Sequence, residues 1–454
     1  MNSNKLLTYV AVLLAGAAIA FFTTTSGFSP QSIAFLIFFV IFIPTLINTD
    51  LGFSIIIVSM LFSPDLILGT TTIREITLRI EDAFLIIVVV ASLLRNFAAR
   101  DRVQIFKTFL SLPFLAFICS CLVSSVFANI YTKLDIKQSL FATMKISEYF
   151  MLFIVVKANI RSLRQQKIFV FIFLLTALMV SIHSNMYIQE KLAEGARFFR
   201  TSPPVATRGA GESGALGGYL LLLLSVSIGL LLYMRSTFIR MLLIVLILLM
   251  FRGFLYTLSR GSYTAFIPML IALFVFSRRI TFLYLASICI VLILLFMPNM
   301  VRQRIEGTII EKESTQGTYI KLEDSPEERV RSWKVVTFEI FPHSPIFGYG
   351  LNRFFIDGQF FQILVDTGLV GLFSFVWICV RLFKKVKSIF YLEEVRDNEF
   401  ASGLCVGFIS GFIGLLVQAV STNSFIIIRI MEPFWFLAAI VVTLPETLAK
   451  QKNA

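Results

Sequence analysis

Charged side chains are scarce in this sequence. Asp, Glu, Lys and Arg make up 15% of its 454 residues, whereas hydrophobic residues make up 57%, including 49 Phe. A soluble domain of this length would carry about a quarter charged residues and about half apolar ones. The composition therefore excludes an ordinary water-soluble protein and favours one that is built for a lipid bilayer.

Cysteine and histidine are also scarce, with five Cys and two His. All five Cys lie inside apolar segments, where a thiol behaves as a small buried hydrophobe. This placement implies neither a disulfide framework nor a zinc site. The sequence also lacks a Walker motif, a dinucleotide fingerprint and a His-Glu-x-x-His motif, so we expect no cofactor and no metal.

Apolar runs long enough to span a bilayer recur along the whole chain, so the sequence predicts an all-α, polytopic membrane bundle of about 12–14 transmembrane helices. Residues 1–297 hold the first eleven spans, 298–358 form one large loop, and 359–454 hold the last three spans and the C-terminus. The first span also fits a signal peptide, and this alternative leaves the remaining topology unchanged. The predicted spans lie at 6–22, 33–48, 51–67, 80–94, 109–127, 139–156, 168–185, 214–233, 238–257, 261–277, 281–297, 359–382, 400–420 and 425–444.

The basic residues predict which side of the membrane each loop occupies. The net charge is +13, and Lys and Arg are concentrated in alternate short loops between the spans. Because cytoplasmic loops retain basic residues, these loops and both termini are expected to be cytoplasmic, and the loop 298–358 lies outside. Scattered basic loops of this kind indicate topology, and we expect no nucleic-acid partner.

Some Arg residues fall in outward segments, against this rule. Arg208 lies in the Gly-rich loop 186–213, which also holds Phe199, and Arg260 lies in a tight turn between two spans. Arg grips phosphate oxygens with a planar fork of donors, so one reading is an anionic ligand. The other reading is an interfacial anchor that contacts lipid headgroups.

The large loop contains further candidate residues. His343 lies between two prolines, where it is either structural or part of a site. Asp357 lies where the chain re-enters the membrane, a position for either a solvated cap or a base that faces a cavity. Trp333 follows Arg331 in the same loop.

The ordered motifs over roughly 205–375 resemble the O-antigen ligase and O-antigen polymerase superfamily of bacterial cell envelopes. The resemblance rests on four pieces: Arg208-Gly209 before a helix, Ser259-Arg260-Gly261, Arg331-x-Trp333 with Pro345-x-x-Gly348-x-Gly350, and Asp357-Gly358 followed after nine residues by Gly368-x-x-Gly371.

The resemblance implies glycosyl transfer from an undecaprenyl-diphosphate-linked oligosaccharide to an acceptor hydroxyl, at the periplasmic (outer) face of the bacterial inner membrane. It assigns diphosphate binding to Arg208, Arg260 and Arg331, activation of the acceptor to Asp357 or His343, and sugar contacts to Trp333 and Phe199. The transfer is expected to be inverting and metal-independent. The expected partners are the lipid-linked donor, a glycan or lipid A core acceptor, membrane lipids and a chain-length regulator.

One departure from the family pattern bears on the type of enzyme. Ligases of lipid A core carry His followed by Asn, Ser or Gln before the nine-residue spacer, whereas this chain has Asp357-Gly358. An ionised carboxylate can still take a proton from a sugar hydroxyl, so we favour a repeat-unit polymerase over a ligase. The alternatives of another class are a membrane transporter or flippase and a nonenzymatic envelope assembly protein.

Overall fold

A computed structural model describes residues 48–63, 65–70, 75–79, 82, 84–90, 92, 107–132, 136–205, 212–278, 299–306, 309–314, 317–322 and 324–453. In chain order the helices and strands are α1 (Thr49–Phe62), β1 (Asp65–Thr70), β2 (Glu75–Arg79), α2 (Ser111–Thr132), α3 (Ile136–Asn159), α4 (Leu163–Ala193), α5 (Ser213–Tyr233), α6 (Thr237–Leu255), α7 (Arg260–Ser277), α8 (Asn299–Glu306), β3 (Ile309–Ser314), β4 (Gly317–Leu322), α9 (Asp324–Val335), α10 (Gln359–Phe390), α11 (Glu393–Arg396), α12 (Glu399–Ser421) and α13 (Ile428–Lys452).

Nine of the described helices are long and apolar enough to cross a membrane: α2 to α7, α10, α12 and α13. Each coincides with one predicted span, and the predicted span 51–67 corresponds to the shorter apolar helix α1. The predicted spans 6–22 and 281–297, and 33–48 apart from its last residue, lie outside the described residues, and 80–94 is described only in part. The prediction of a polytopic helical membrane protein is confirmed.

Two antiparallel β-hairpins are present in addition to the helices that the sequence predicted. Strand β1 pairs with β2, and β3 pairs with β4 inside the large loop. The loop also contains α8, α9, a π-helical turn at Val336–Ile340 and a 3-10 turn at Phe341–His343. The large loop therefore has secondary structure of its own over its described parts.

Helices α5, α12 and α13 form the centre of the bundle, since most of their residues are buried. Helix α12 lies very close to α5, and a Cβ on Gly407 would come within 2.6 Å of Val226 Cα. A Cβ on Gly229 would likewise lie 2.6 Å from Gly407 N. Small residues at such crossings let two backbones approach and pack in a membrane, where lipid removes the usual hydrophobic drive for association.

Buried amide side chains join helices elsewhere in the bundle. Gln166 of α4 is fully buried, and its Nε2 donates to Ile440 O at 3.1 Å and to Thr443 Oγ1 at 2.9 Å. Thr447 Oγ1 donates to Gln166 Oε1 at 2.8 Å. Because the surroundings are apolar, each of these polar groups must find its partner within the protein.

We expect Gly407→Leu to separate α12 from α5, because its side chain would overlap the α5 backbone. Overpacking of this kind costs about 1–3 kcal/mol, occasionally more. The apparent Tm of the purified protein in detergent should fall, whereas Val420→Leu, at an exposed position of the same helix, should leave it unchanged. Equal Tm values for the two variants would contradict the close packing.

Candidate functional site

Two side chains of α9 hold Asp357 just before α10 begins. Arg329 Nε lies 2.9 Å from Asp357 Oδ2, and Trp333 Nε1 donates to Asp357 O at 2.6 Å. The Asp357 side chain keeps 39% of its surface exposed, so a ligand can reach it. Gly358 follows with φ of 116°, and a Cβ there would lie 2.7 Å from Val420 O, so only glycine fits.

Gln362, one turn into α10, satisfies the irregular backbone before Asp357. Its Oε1 accepts a hydrogen bond from Ile356 N at 2.8 Å, and its Nε2 donates to Phe354 O at 3.0 Å. The same Nε2 donates to Asp366 Oδ1 at 2.9 Å. Gln362 and Asp366 are both buried, and sequence reasoning missed them. The available signal was two polar residues, four apart on one helix face, inside the nine-residue spacer.

The Gly-rich stretch that ends at Gly350 lies against a break in α10. Gly368 interrupts the helix with φ of 65° and ψ of −162°. Gly350 N donates to Asp366 O at 3.0 Å, and a Cβ on Gly348 would lie 2.6 Å from Val365 O. These glycines of the family motif therefore allow the loop backbone to lie close enough to the broken helix to form hydrogen bonds with it.

Arg260 is the first residue of α7 and is partly buried. Its turn rests on the end of α12, because a Cβ on Gly261 would come within 2.5 Å of Ser421 Oγ. In addition, Gln418 Nε2 donates to Ser262 Oγ at 3.0 Å. The turn predicted from the sequence is thus attached to a specific helix end.

Arg208 lies in 206–211, outside the described residues, but both flanks of that segment are described. Arg429 at the start of α13 is 2% exposed. Its Nη2 donates to Val205 O at 2.8 Å, and its Nη1 lies 3.2 Å from Glu212 Oε2. One buried cation therefore holds the two ends of the segment that contains Arg208.

These pieces meet at the loop 422–427 between α12 and α13, which sequence reasoning did not single out. Helices α5, α7, α10 and α13 all begin around this loop, so the positive ends of four helix dipoles face the same region. Asn423 Nδ2 of the loop donates to Ile356 O at 2.9 Å, and Phe425 N donates to Gln359 Oε1 at 3.0 Å. A Cβ on Gly214 would lie 3.7 Å from Thr422 Cγ2, so the start of α5 is next to the loop.

The other two polar candidates lie on the outer face of this region. Arg331 is exposed and lines a shallow groove of about 370 Å³ together with Ile356. His343 is also exposed, and its Nδ1 lies 2.7 Å from Glu339 O. Arg331 is therefore close to the Asp357 segment, whereas His343 bonds within its own turn.

The two aromatic candidates are packed against other rings. Trp333 stacks on Phe361 with ring centroids 5.0 Å apart and planes at 7°. Phe199 is 6% exposed and stacks on Tyr256 at 5.6 Å. Phe199 belongs to a cluster with Ile188 that is separate from the one around Trp333.

Residues 245–376 match the sequence model of a family described as O-antigen ligase. This part of the chain is similar to an O-antigen ligase domain. The match contains Arg260, Arg331, Trp333, His343 and Asp357, and it confirms the resemblance to the O-antigen ligase and polymerase superfamily. It covers less than a third of the chain and does not extend to 205–214. No curated protein matches the sequence.

The domain and the apolar helices together identify an integral membrane protein. They support membrane glycosyl transfer of the O-antigen ligase or polymerase type, with a lipid-linked oligosaccharide and a glycan acceptor as the substrates.

We expect Arg429→Met to loosen the 206–211 segment, because the change removes a buried cation from Glu212 and from Val205 O. Breaking a buried ion pair on one side costs about 3–5 kcal/mol. Limited trypsin digestion should cut faster after Arg208, with the exposed Arg197 as internal reference. The double variant Arg429→Met/Glu212→Gln should recover part of the lost stability, and a cleavage rate at Arg208 equal to wild type would contradict the assignment.

Proposed function

We propose that this protein is an O-antigen or exopolysaccharide repeat-unit polymerase that works at the outer face of the bacterial inner membrane. The observation that carries the proposal is the convergence of the Arg260 turn, the Asp357 segment and the flanks of Arg208 on the loop 422–427 and the first turn of α13. These are the pieces that resemble the family, and two of them lie in the matched domain.

The cationic part of the site binds the diphosphate of the donor. Arg260 and Arg208 supply guanidinium groups, Arg331 supplies a third beside the Asp357 segment, and four helix N-termini add partial positive charge. A leaving diphosphate gains negative charge in the transition state, so fixed donors at this place accelerate its departure.

Asp357 is the proposed base. Its carboxylate is exposed on one side and fixed by Arg329 on the other, which orients it without enclosing it. The acceptor oxygen attacks the anomeric carbon of the donor sugar, the bond from that carbon to phosphate oxygen breaks, and the diphosphate leaves with the electron pair. The hydroxyl proton passes to Asp357, and the configuration at the anomeric carbon inverts.

His343 remains the second candidate for the base, and Trp333 and Phe199 the proposed sugar contacts. One face of Trp333 is covered by Phe361, so a sugar would stack on the opposite face. The concentration of Lys and Arg in alternate loops supports cytoplasmic termini, and with that topology the site and the loop 298–358 lie outside the cytoplasm. A chain-length regulator is the proposed protein partner.

A ligase that transfers glycan to lipid A core is the alternative, and it differs from a polymerase in its acceptor. Purified protein is incubated with undecaprenyl-diphosphate oligosaccharide, with and without lipid A core. A ladder of products from the donor alone supports the polymerase assignment. A single transfer that occurs only when lipid A core is present supports the ligase assignment instead. No transfer to either acceptor would overturn the proposal.

Arg260→Ala should lower the transfer rate about 10²–10³-fold, which is the usual cost of removing one donor to a developing negative charge. Arg260→Lys should recover part of it, since Lys keeps the charge but loses the fork geometry. The measurement is polymer length in a deletion strain that expresses each variant, with protein level as the control. If the Arg260→Ala strain makes long polymer at wild-type abundance, the proposed role of Arg260 in binding the diphosphate is wrong.

Asp357→Asn should abolish polymer formation, because the amide cannot accept the hydroxyl proton. His343→Gln should leave the transfer rate near wild type. Asp357→His should retain measurable activity, since the family's ligases carry His at this place. The initial transfer rate of purified protein decides between the residues, and a large loss for His343→Gln with none for Asp357→Asn would reverse their roles.

A further inference from the structure

A cavity lies beside the Asp357 segment, between α2, α3, α10 and the loop 422–427. Its volume is about 210 Å³, which is room for on the order of ten waters and comparable to one monosaccharide. Along α3 its lining runs from Gln138 to Tyr149, and along α10 from Gln359 to Phe375. Neither the sequence motifs nor the family match assigns a role to this cavity.

The lining combines ring faces with hydrogen-bonding groups. Four Phe side chains line it, together with the polar residues Gln138, Gln359, Asp366 and Thr367. Gln138 has no hydrogen-bond partner among the described residues. Aromatic faces suit the C–H faces of a sugar ring, and amide and carboxylate groups suit its hydroxyls, so a small set of polar groups in an otherwise apolar wall fixes the ring's orientation.

The charge around the cavity differs from that of the Arg260 region. Lys145 lines the cavity, but it is bonded to Asp82 and lies 3.2 Å from Glu148. Asp366, which is 6% exposed, adds a third carboxylate. Arg79 and Glu432 also lie close enough to act on Tyr149 of the cavity wall, so among the described residues two cations face four carboxylates. This excess of negative charge disfavours an anionic ligand and accepts a neutral or amino sugar.

The cavity is connected to the proposed base by a short chain of hydrogen bonds. Asp366 accepts from Gln362, and Gln362 holds the backbone N of Ile356, next to Asp357. A sugar that binds Asp366 therefore lies one side chain away from the segment that carries the base.

We propose that this cavity binds the terminal sugar of the acceptor glycan, with Asp366 and Gln138 as its hydroxyl contacts. The proposal rests on the proposed glycosyl transfer and names the part of the site that selects the acceptor. The acceptor sugar then occupies the carboxylate-rich side, while the donor diphosphate occupies the arginine-rich side.

A thiol in the cavity tests binding without any turnover. In a full-length variant with its five Cys replaced by Ala, Ala142→Cys introduces a thiol into the cavity wall. Met144→Cys, on the same helix and 69% exposed, is the matched control. The probe is the free repeat-unit oligosaccharide, released by mild acid from lipid-linked donor extracted from cells that lack the gene, and the readout is the rate of N-ethylmaleimide modification.

At ten times its Kd the oligosaccharide should slow modification of the Ala142→Cys thiol about tenfold, because only about one tenth of the sites stay empty. The Met144→Cys thiol should be unaffected, and inorganic pyrophosphate should protect neither. Unchanged modification of the Ala142→Cys thiol with the oligosaccharide, or protection by pyrophosphate instead, would overturn the cavity assignment.

Kinetics separates this proposal from the proposed function. Gln138→Ala and Asp366→Asn should each raise the acceptor KM about tenfold, the effect of losing one hydrogen bond of about 1.4 kcal/mol, with the donor KM and apparent Tm unchanged. The wild-type protein could catalyse transfer while the oligosaccharide fails to protect the Ala142→Cys thiol and neither variant changes the acceptor KM. That combination would contradict the cavity assignment and leave the proposed function intact. Protection without any transfer, in contrast, supports sugar binding and defeats the proposed activity.

Discussion

Irregular backbone inside a membrane protein must find all its hydrogen-bond partners within the protein, because lipid offers none. The segments that carry Arg260 and Asp357 are irregular, and buried amide side chains satisfy them. Gln362 bonds the backbone of the segment before Asp357, and Asn423 donates to the carbonyl of Ile356. Gln418 donates to the carbonyl of Gly214 at the start of α5 and to the Ser262 hydroxyl at the start of α7. These amides hold the candidate site in place, and the arrangement of its charged groups depends on them.

Glycine has a second structural role in this region. The break at Gly368 lets the loop 345–350 replace hydrogen bonds of α10. Ser124 on α2 donates to Asp366 O at 2.5 Å and so ties the break to a second helix. The broken helix is therefore a fixed part of the wall behind Asp357.

Charge is divided between two sides of the same region. Arg260 and Arg331 are not among the residues that line the cavity, whereas the charged groups around the cavity are mostly carboxylates, together with Lys145 and Arg79. Such a division suits a reaction in which an anionic group leaves and a hydroxyl arrives. The proposed reaction also needs no nucleotide, because breaking the sugar–phosphate bond of the donor supplies the energy for transfer.

The sequence by itself determined the membrane class, nine spans of the described bundle and the resemblance to the O-antigen ligase family, because apolar run length and motif order are local properties of the chain. It also identified Arg260 and Asp357 as candidates from their place at turns. It missed Gln362, Asp366 and the loop 422–427, because polar residues four apart in an apolar helix share a face but do not reveal the distant groups that they bond. Only the tertiary structure decided that segments from 205 to 425 meet around one loop, because that depends on which helix ends pack together and not on any stretch of sequence.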